Sequence, residues 1–115
     1  MRLRLVLAAA AMLAAPSAFA RDGAASAAIT SGDYAAAETA LKAELRIYPA
    51  RPELLLNLAA VYMRTGRQAE ARALYSQVLE QREVAMNLRA DRVASSHQIA
   101  ANGLRKIQAT QLSSR

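Results

Sequence analysis

Few side chains in this sequence are suited to acid–base or nucleophilic chemistry. His97 is the single histidine, and the chain has no cysteine. A hydrolytic triad needs its histidine between a nucleophile and a carboxylate in space. The neighbouring hydroxyl belongs to Ser96, and adjacent residues of a helix do not face each other. We therefore expect His97 to be an exposed residue in the first turn of a helix, and we expect no catalytic residues.

The residue types also give little basis for a metal or cofactor site. With one histidine and no cysteine, a zinc site would consist mostly of carboxylates, which is an uncommon ligand set. A phosphate-binding loop concentrates its glycines, whereas the four glycines of this chain are scattered at positions 23, 32, 66 and 103. The sequence thus predicts a protein that is not an enzyme and has no cofactor or metal.

Residues 1–20 have the features of a secretory signal peptide. Arginines near the start precede an apolar run over residues 5–15, and the segment closes on the small residues Ala18 and Ala20. The apolar run is about half of the ~20 residues that span a bilayer, which argues against a membrane anchor. We expect cleavage between Ala20 and Arg21. The mature protein would then be periplasmic, in a Gram-negative bacterium, with no membrane span after signal removal.

The chain is basic, with a formal net charge of +6, which becomes +4 when the two signal arginines are removed. A basic balance can indicate nucleic-acid binding. Export argues against that partner, so we expect no nucleic acid. Because the arginines are spread along the chain, they fit a solvated surface. The alternative is attraction to acidic partners or to anionic envelope polymers.

Residues of the same kind recur at a spacing of 34 in the remainder of the chain. The recurring pairs are Gly32 and Gly66, Ala37 and Ala71, Leu41 and Tyr75, and Leu45 and Leu79. A period of 34 indicates stacked helical hairpins. Apolar steps of three and four over residues 54–63 predict a first helix, and the glycine that follows permits the left-handed backbone that ends it. Generic helical hairpins with accidental self-similarity are the alternative.

This pattern resembles the tetratricopeptide repeat (TPR) over about half of the chain. The matching positions of the second unit are Leu58, Ala59, Tyr62, Gly66, Ala71 and Tyr75. Those of the first unit are Ala24, Ala25, Ala28, Gly32, Ala37, Leu41 and Pro49. The resemblance implies an all-α fold, with about two antiparallel helical hairpins over residues 21–82. The first unit departs from the family because its first helix is short and rich in alanine. The second has Glu83 in place of the closing proline.

Residues 83–115 are expected to form a connecting stretch and a C-terminal capping helix. Apolar residues alternate over residues 84–88, which predicts a short extended segment. Ser95 and Gln98 fit a capping box, so the last helix should begin near Ser96. Its apolar side carries Ile99, Ala100, Gly103, Leu104 and Ile107. We expect this helix to close the stack, because repeat arrays require a cap. A disordered basic tail is the alternative.

The family resemblance also implies where a partner would bind. In the family, an extended peptide contacts first-helix side chains on the inner face of the stack. The matching residues of the second unit are Glu53, Leu56, Asn57, Ala60, Met63 and Arg64. Asn57 offers a donor and an acceptor to a peptide backbone, and Arg64 can pair with both oxygens of a carboxylate. The first-unit equivalents, Ser26, Ile29 and Thr30, are small and predict a shallow groove there.

The function expected from this resemblance is that of an exported scaffold or adaptor that binds a partner peptide or protein. One alternative is a binder of anionic envelope polymers, whose affinity would depend strongly on salt. A second is a self-assembling structural subunit, a homo-oligomer, because two repeats are fewer than the ~3 that are usually stable alone. The sequence does not identify the partner or its pathway.

Overall fold

Five helices and two short strands make up the part of the chain that the structure describes. The computed structural model describes residues 18–88 and 92–113, with side chains from Ala25 onward. The elements in chain order are α1 (Ala18–Ser31), α2 (Tyr34–Ile47), α3 (Pro52–Arg64), α4 (Gln68–Glu80), β1 (Ala85–Asn87), β2 (Val93–Ser95) and α5 (Ser96–Ser113). The predicted all-α fold of helical hairpins with a C-terminal helix is confirmed, and the strands are a small addition.

Tight turns at two glycines form the helical hairpins. Gly32 and Gly66 have φ angles of 81° and 77°, a left-handed backbone that only glycine adopts without strain. α1 packs against α2, and α3 packs against α4. The packing of α2 against α3 joins the two units. Pro52 is the first residue of α3, where its fixed φ suits a helix start and its missing N–H costs no hydrogen bond. The predicted end of α3 at the glycine that follows it, Gly66, is therefore confirmed.

Small residues lie where the helices approach most closely. Ala37, Ala59 and Ala71 are fully buried, so larger side chains at these points would force the helices apart. Leu79, which the 34-residue period places with the apolar residues, lies in the last turn of α4 and is 37 % exposed. The buried stripe of α4 thus ends at Val78, earlier than the sequence predicts.

An antiparallel β-hairpin connects α4 to α5. β1 pairs with β2 in the register Ala85↔Ser95, Met86↔Ala94 and Asn87↔Val93. Met86 is buried, whereas its two neighbours in β1 are exposed. The extended segment predicted over residues 84–88 is confirmed. Its partner strand was not predicted, because the three residues of β2 are too few to show a period.

The start of α5 has the predicted capping box. The Gln98 N–H donates to Ser95 Oγ at 3.0 Å, and the Ser95 N–H donates to Gln98 Oε1 at 3.2 Å. The expectation that His97 is exposed is wrong. Its ring is half-buried, and Nε2 lies 2.7 Å from the carbonyl oxygen of Gln81. That carbonyl follows the last residue of α4, so the imidazole joins the end of one helix to the start of the next.

α5 packs against α4 and also contacts α3. Ala100 and Ile107 are fully buried in the common core, and Gly103 is buried as well. A β-carbon on Gly103 would overlap the ring of Tyr75. The absence of a side chain at Gly103 therefore allows the Tyr75 ring to pack directly against the backbone of α5.

The predicted signal peptide lies almost wholly outside the described residues, which begin at Ala18. The expected cleavage site, between Ala20 and Arg21, falls within α1, in the part whose side chains are not described. Cleavage there stays a prediction. Within residues 18–88 and 92–113, none of the helices has both the length and the apolar composition to cross a membrane.

Candidate functional site

A concave surface runs along the first helices of the stack. One cavity, of about 480 Å³, lies between α1 and α3, and a second, of about 580 Å³, lies between α3 and α5. Ser26 and Asn57 line both cavities, so the two are parts of one surface, which we name the inner groove.

The structure places five of the six predicted partner-contacting residues along the inner groove. Arg64 lines the first cavity, Asn57 lines both, and Glu53, Leu56 and Ala60 line the second. Met63 lines neither of them and packs, half-buried, against the hydrophobic core.

The first unit contributes small side chains to the inner groove. Ser26, Ile29 and Thr30, the residues expected there, line the first cavity together with Tyr34. Tyr34 begins α2, directly after the turn at Gly32. Its ring adds the one aromatic surface of this cavity among the described residues.

Sequence reasoning missed the third wall of the inner groove, which α5 forms. Each α3 residue in the second cavity has an α5 counterpart 46 residues later, and the pairs are Glu53 and Ile99, Leu56 and Asn102, Asn57 and Gly103, and Ala60 and Lys106. This constant offset shows that α5 occupies the position of a first helix in a third unit. The spacing exceeds the 34-residue period by 12, because the β-hairpin precedes α5, and a fixed-period comparison does not reveal it.

The charges of the inner groove are mainly positive. Arg64 and Lys106 are exposed, and no ion pair joins either to another described residue. The acidic residue Glu53 lies with its Oε2 3.8 Å from Nε of Arg51, so a neighbouring guanidinium partly offsets its charge. Such a surface attracts anionic ligands and disfavours cationic ones.

The remaining polar groups are suited to binding and not to proton transfer. Asn57 is half-buried at the junction of the two cavities, and the Asn102 side chain accepts a hydrogen bond from Arg105. Burial raises the pKa of the Tyr75 hydroxyl, which stays neutral near pH 7. Within the described ranges, His, Cys, Asp and Glu side chains form no cluster that could hold a metal ion.

Comparison with known proteins gives a match to one family. A sequence model of the tetratricopeptide repeat matches residues 28–85, about half of the chain. No curated protein and no solved structure matches the chain. The matched range runs from α1 into β1 and includes the Gly32 and Gly66 turns and the α3 wall of the inner groove. The chain therefore belongs to the tetratricopeptide-repeat family.

Proposed function

We propose that this protein is an exported adaptor that binds a protein partner through the inner groove. TPR units form protein-interaction modules, and the family match supports that general function. The observation that carries the proposal is the convergence of α1, α3 and α5 on one surface, with Asn57 at the junction of its cavities. Export to the periplasm is part of the proposal and rests on the signal-peptide features of residues 1–20.

Two side chains of α3 supply the polar contacts in this proposal. The amide of Asn57 both donates and accepts, so it can pair with a peptide N–H and C=O. The guanidinium of Arg64 pairs with the two oxygens of a carboxylate. Asn57 and Arg64 both line the first cavity, so one bound segment can contact both of them.

Affinity capture tests the proposal. The full chain with a C-terminal tag is expressed for export, and proteins retained from periplasmic extract are identified by mass spectrometry. We expect a partner that the wild type retains and that the double variant Asn57→Ala, Arg64→Ala loses. Arg72→Ala is the matched control, because Arg72 is exposed on α4 and away from the inner groove.

The result that contradicts the proposal is a partner retained equally by all three proteins. Capture that disappears at moderate salt without selectivity among peptides would favour the envelope-polymer alternative. A single oligomeric species in light scattering, with no other protein retained, would favour the self-assembling subunit.

A further inference from the structure

We propose that an extended acidic segment of the partner pairs its backbone with the free edge of β1 and directs alternate side chains into the cavity between α3 and α5. The inference rests on the proposed function and specifies the ligand of the same groove. It draws on three features: the unpaired edge of β1, the position of that edge beside the cavity, and the charge of the cavity walls.

The hydrogen-bond pattern of the hairpin leaves one edge of β1 without a partner strand. The Leu88 N–H donates to the Arg92 carbonyl at 2.7 Å, and the Ser96 N–H donates to the Val84 carbonyl at 2.8 Å. Because pairing groups alternate along an antiparallel strand, the N–H and C=O groups of Asn87 point away from β2. Among the described residues, the sheet has no third strand on that side. Such an edge is a template for a further strand.

β1 lies beside the second cavity. Met86, Asn87 and Leu88 line it together with residues of α3 and α5, whereas no residue of β2 does. A segment paired with β1 presents alternate side chains to opposite sides, so every second one can enter the cavity. The α3 wall from Glu53 to Ala60 is about 10 Å long, which matches about three extended residues.

The cavity walls define the chemistry of the segment. Lys106 is exposed on the α5 wall, and among the described residues no carboxylate forms an ion pair with it. Leu56, which is 6 % exposed, and Ile99, which is half-buried, line the same cavity with apolar side chains. Without residues 1–20 the chain keeps a formal side-chain charge of +4, which attracts anions. Glu53 also lines this cavity, but its Oε2 lies 3.8 Å from Nε of Arg51, so Lys106 is the charge that a partner can pair with. A segment that places an aspartate or glutamate at Lys106 and alternates it with apolar residues fits these walls best.

Proline substitutions test the two edges of the hairpin separately. Asn87→Pro removes an N–H that does not bond to β2, and proline is tolerated on edge strands. Val93→Pro is the matched control, because Val93 lies opposite Asn87 in the register and its N–H faces the other edge. Lys106→Glu reverses the charge of the α5 wall without changing the hairpin.

The probe is the strongest-binding member of a random twelve-residue peptide library, selected on the wild-type protein and measured by fluorescence anisotropy. We expect it to alternate acidic and apolar residues. We expect Asn87→Pro to weaken its binding up to about tenfold, the effect of a lost backbone hydrogen bond. Val93→Pro should leave binding unchanged, and Lys106→Glu should weaken it. N-methylation of alternate peptide residues should abolish binding.

Binding that resists Asn87→Pro, Lys106→Glu and N-methylation overturns the inference. If Asn57→Ala and Arg64→Ala still weaken that binding, the proposed function stands and only the β1 contact is wrong. If both proline variants weaken binding equally, the N-methylated peptide tests the contact with β1 instead, because N-methylation leaves the protein unchanged. If no peptide is selected from the library, the inference is also overturned. If a folded partner is nevertheless captured, the proposed function still stands.

Discussion

Arg67 forms a bidentate ion pair with Glu38, 29 residues away. Nη1 donates to Glu38 Oε1 at 2.9 Å and Nη2 to Oε2 at 2.5 Å. The same guanidinium lies 4.5 Å from the centroid of the Tyr62 ring and donates through Nε to Thr65 Oγ1 at 3.1 Å. Glu38 is on α2 and Arg67 precedes α4. The pair therefore joins the first unit to the turn of the second and helps to fix the helices that carry the inner groove.

Stability should depend on pH through Glu38. Hydrogen bonds from Arg67, and then from Lys42, lower the pKa of this carboxyl from 4.5 to about 2. A carboxyl with a lowered folded-state pKa stabilises the fold above its unfolded value, and the stabilisation is lost as pH falls through the folded value. We therefore expect Glu38→Gln to lower Tm at pH 7, with a difference from wild type that shrinks between pH 4.5 and 2.

Thermal melts across this pH range check the prediction. Glu80→Gln is the control, because Glu80 is exposed at the end of α4. It should differ little from wild type at any pH. A difference between Glu38→Gln and wild type that stays constant from pH 7 to pH 2 would show that the ion pair does not cause the dependence.

Ala71 should not tolerate a larger side chain. It is fully buried in α4, so Ala71→Leu overpacks the core and should lower the free energy of unfolding by roughly 1–3 kcal/mol. That is a large share of the 5–15 kcal/mol typical of a whole protein. Glu70→Leu places the same side chain on an exposed neighbouring position and should cost little. Denaturant unfolding measures both, and equal losses would refute the assigned packing.

α5 should stabilise the stack as a cap. Ile107 is fully buried, whereas Leu112 on the same helix is 62 % exposed. Ile107→Asp loses roughly 1.5–3 kcal/mol of apolar burial and also buries a polar group, so it should lower Tm strongly. Leu112→Asp should not. Truncation after Arg92 should lower Tm or cause aggregation, and a truncated protein as soluble and stable as the full chain would contradict the capping role.

The mature protein should begin at Arg21. The small residues Ala18 and Ala20 follow a short apolar run, as in signal peptides cut by a signal peptidase. N-terminal sequencing of protein recovered from the periplasm tests this start directly. Recovery of periplasmic protein with Met1 intact would refute cleavage, and recovery only from the cytoplasm would refute export.

Most of the helical part could be predicted from local sequence. Gly32 and Gly66 mark the turns because their backbone conformation requires glycine. Ser95 and Gln98 mark the start of α5 because their side chains and backbone groups bond to each other within one turn. These signals are contained in a few neighbouring residues, so they do not depend on the tertiary structure.

The features that were missed depend on contacts between distant residues. β2 is stabilised by pairing with β1, which no three-residue pattern reveals. Lys106 lies on α5, whose cavity-lining residues come 12 residues later than the 34-residue period predicts. A comparison at that period therefore does not reveal Lys106 as a groove residue. His97 is half-buried and hydrogen-bonds the Gln81 carbonyl, 16 residues earlier in the chain. Met63 packs against the core although its family position suggests the groove.

The central claim is that a partner binds in the inner groove, and the dissociation constant of that partner for three variants tests it most directly. Asn57→Ala and Arg64→Ala should each weaken binding in isothermal titration calorimetry while Tm is unchanged. Arg72→Ala, which loses an exposed hydrogen bond to Gln111 on α5 and changes a residue that lines neither cavity, should bind as the wild type does. Unchanged dissociation constants for all three variants would contradict the account and show that the partner binds on another surface.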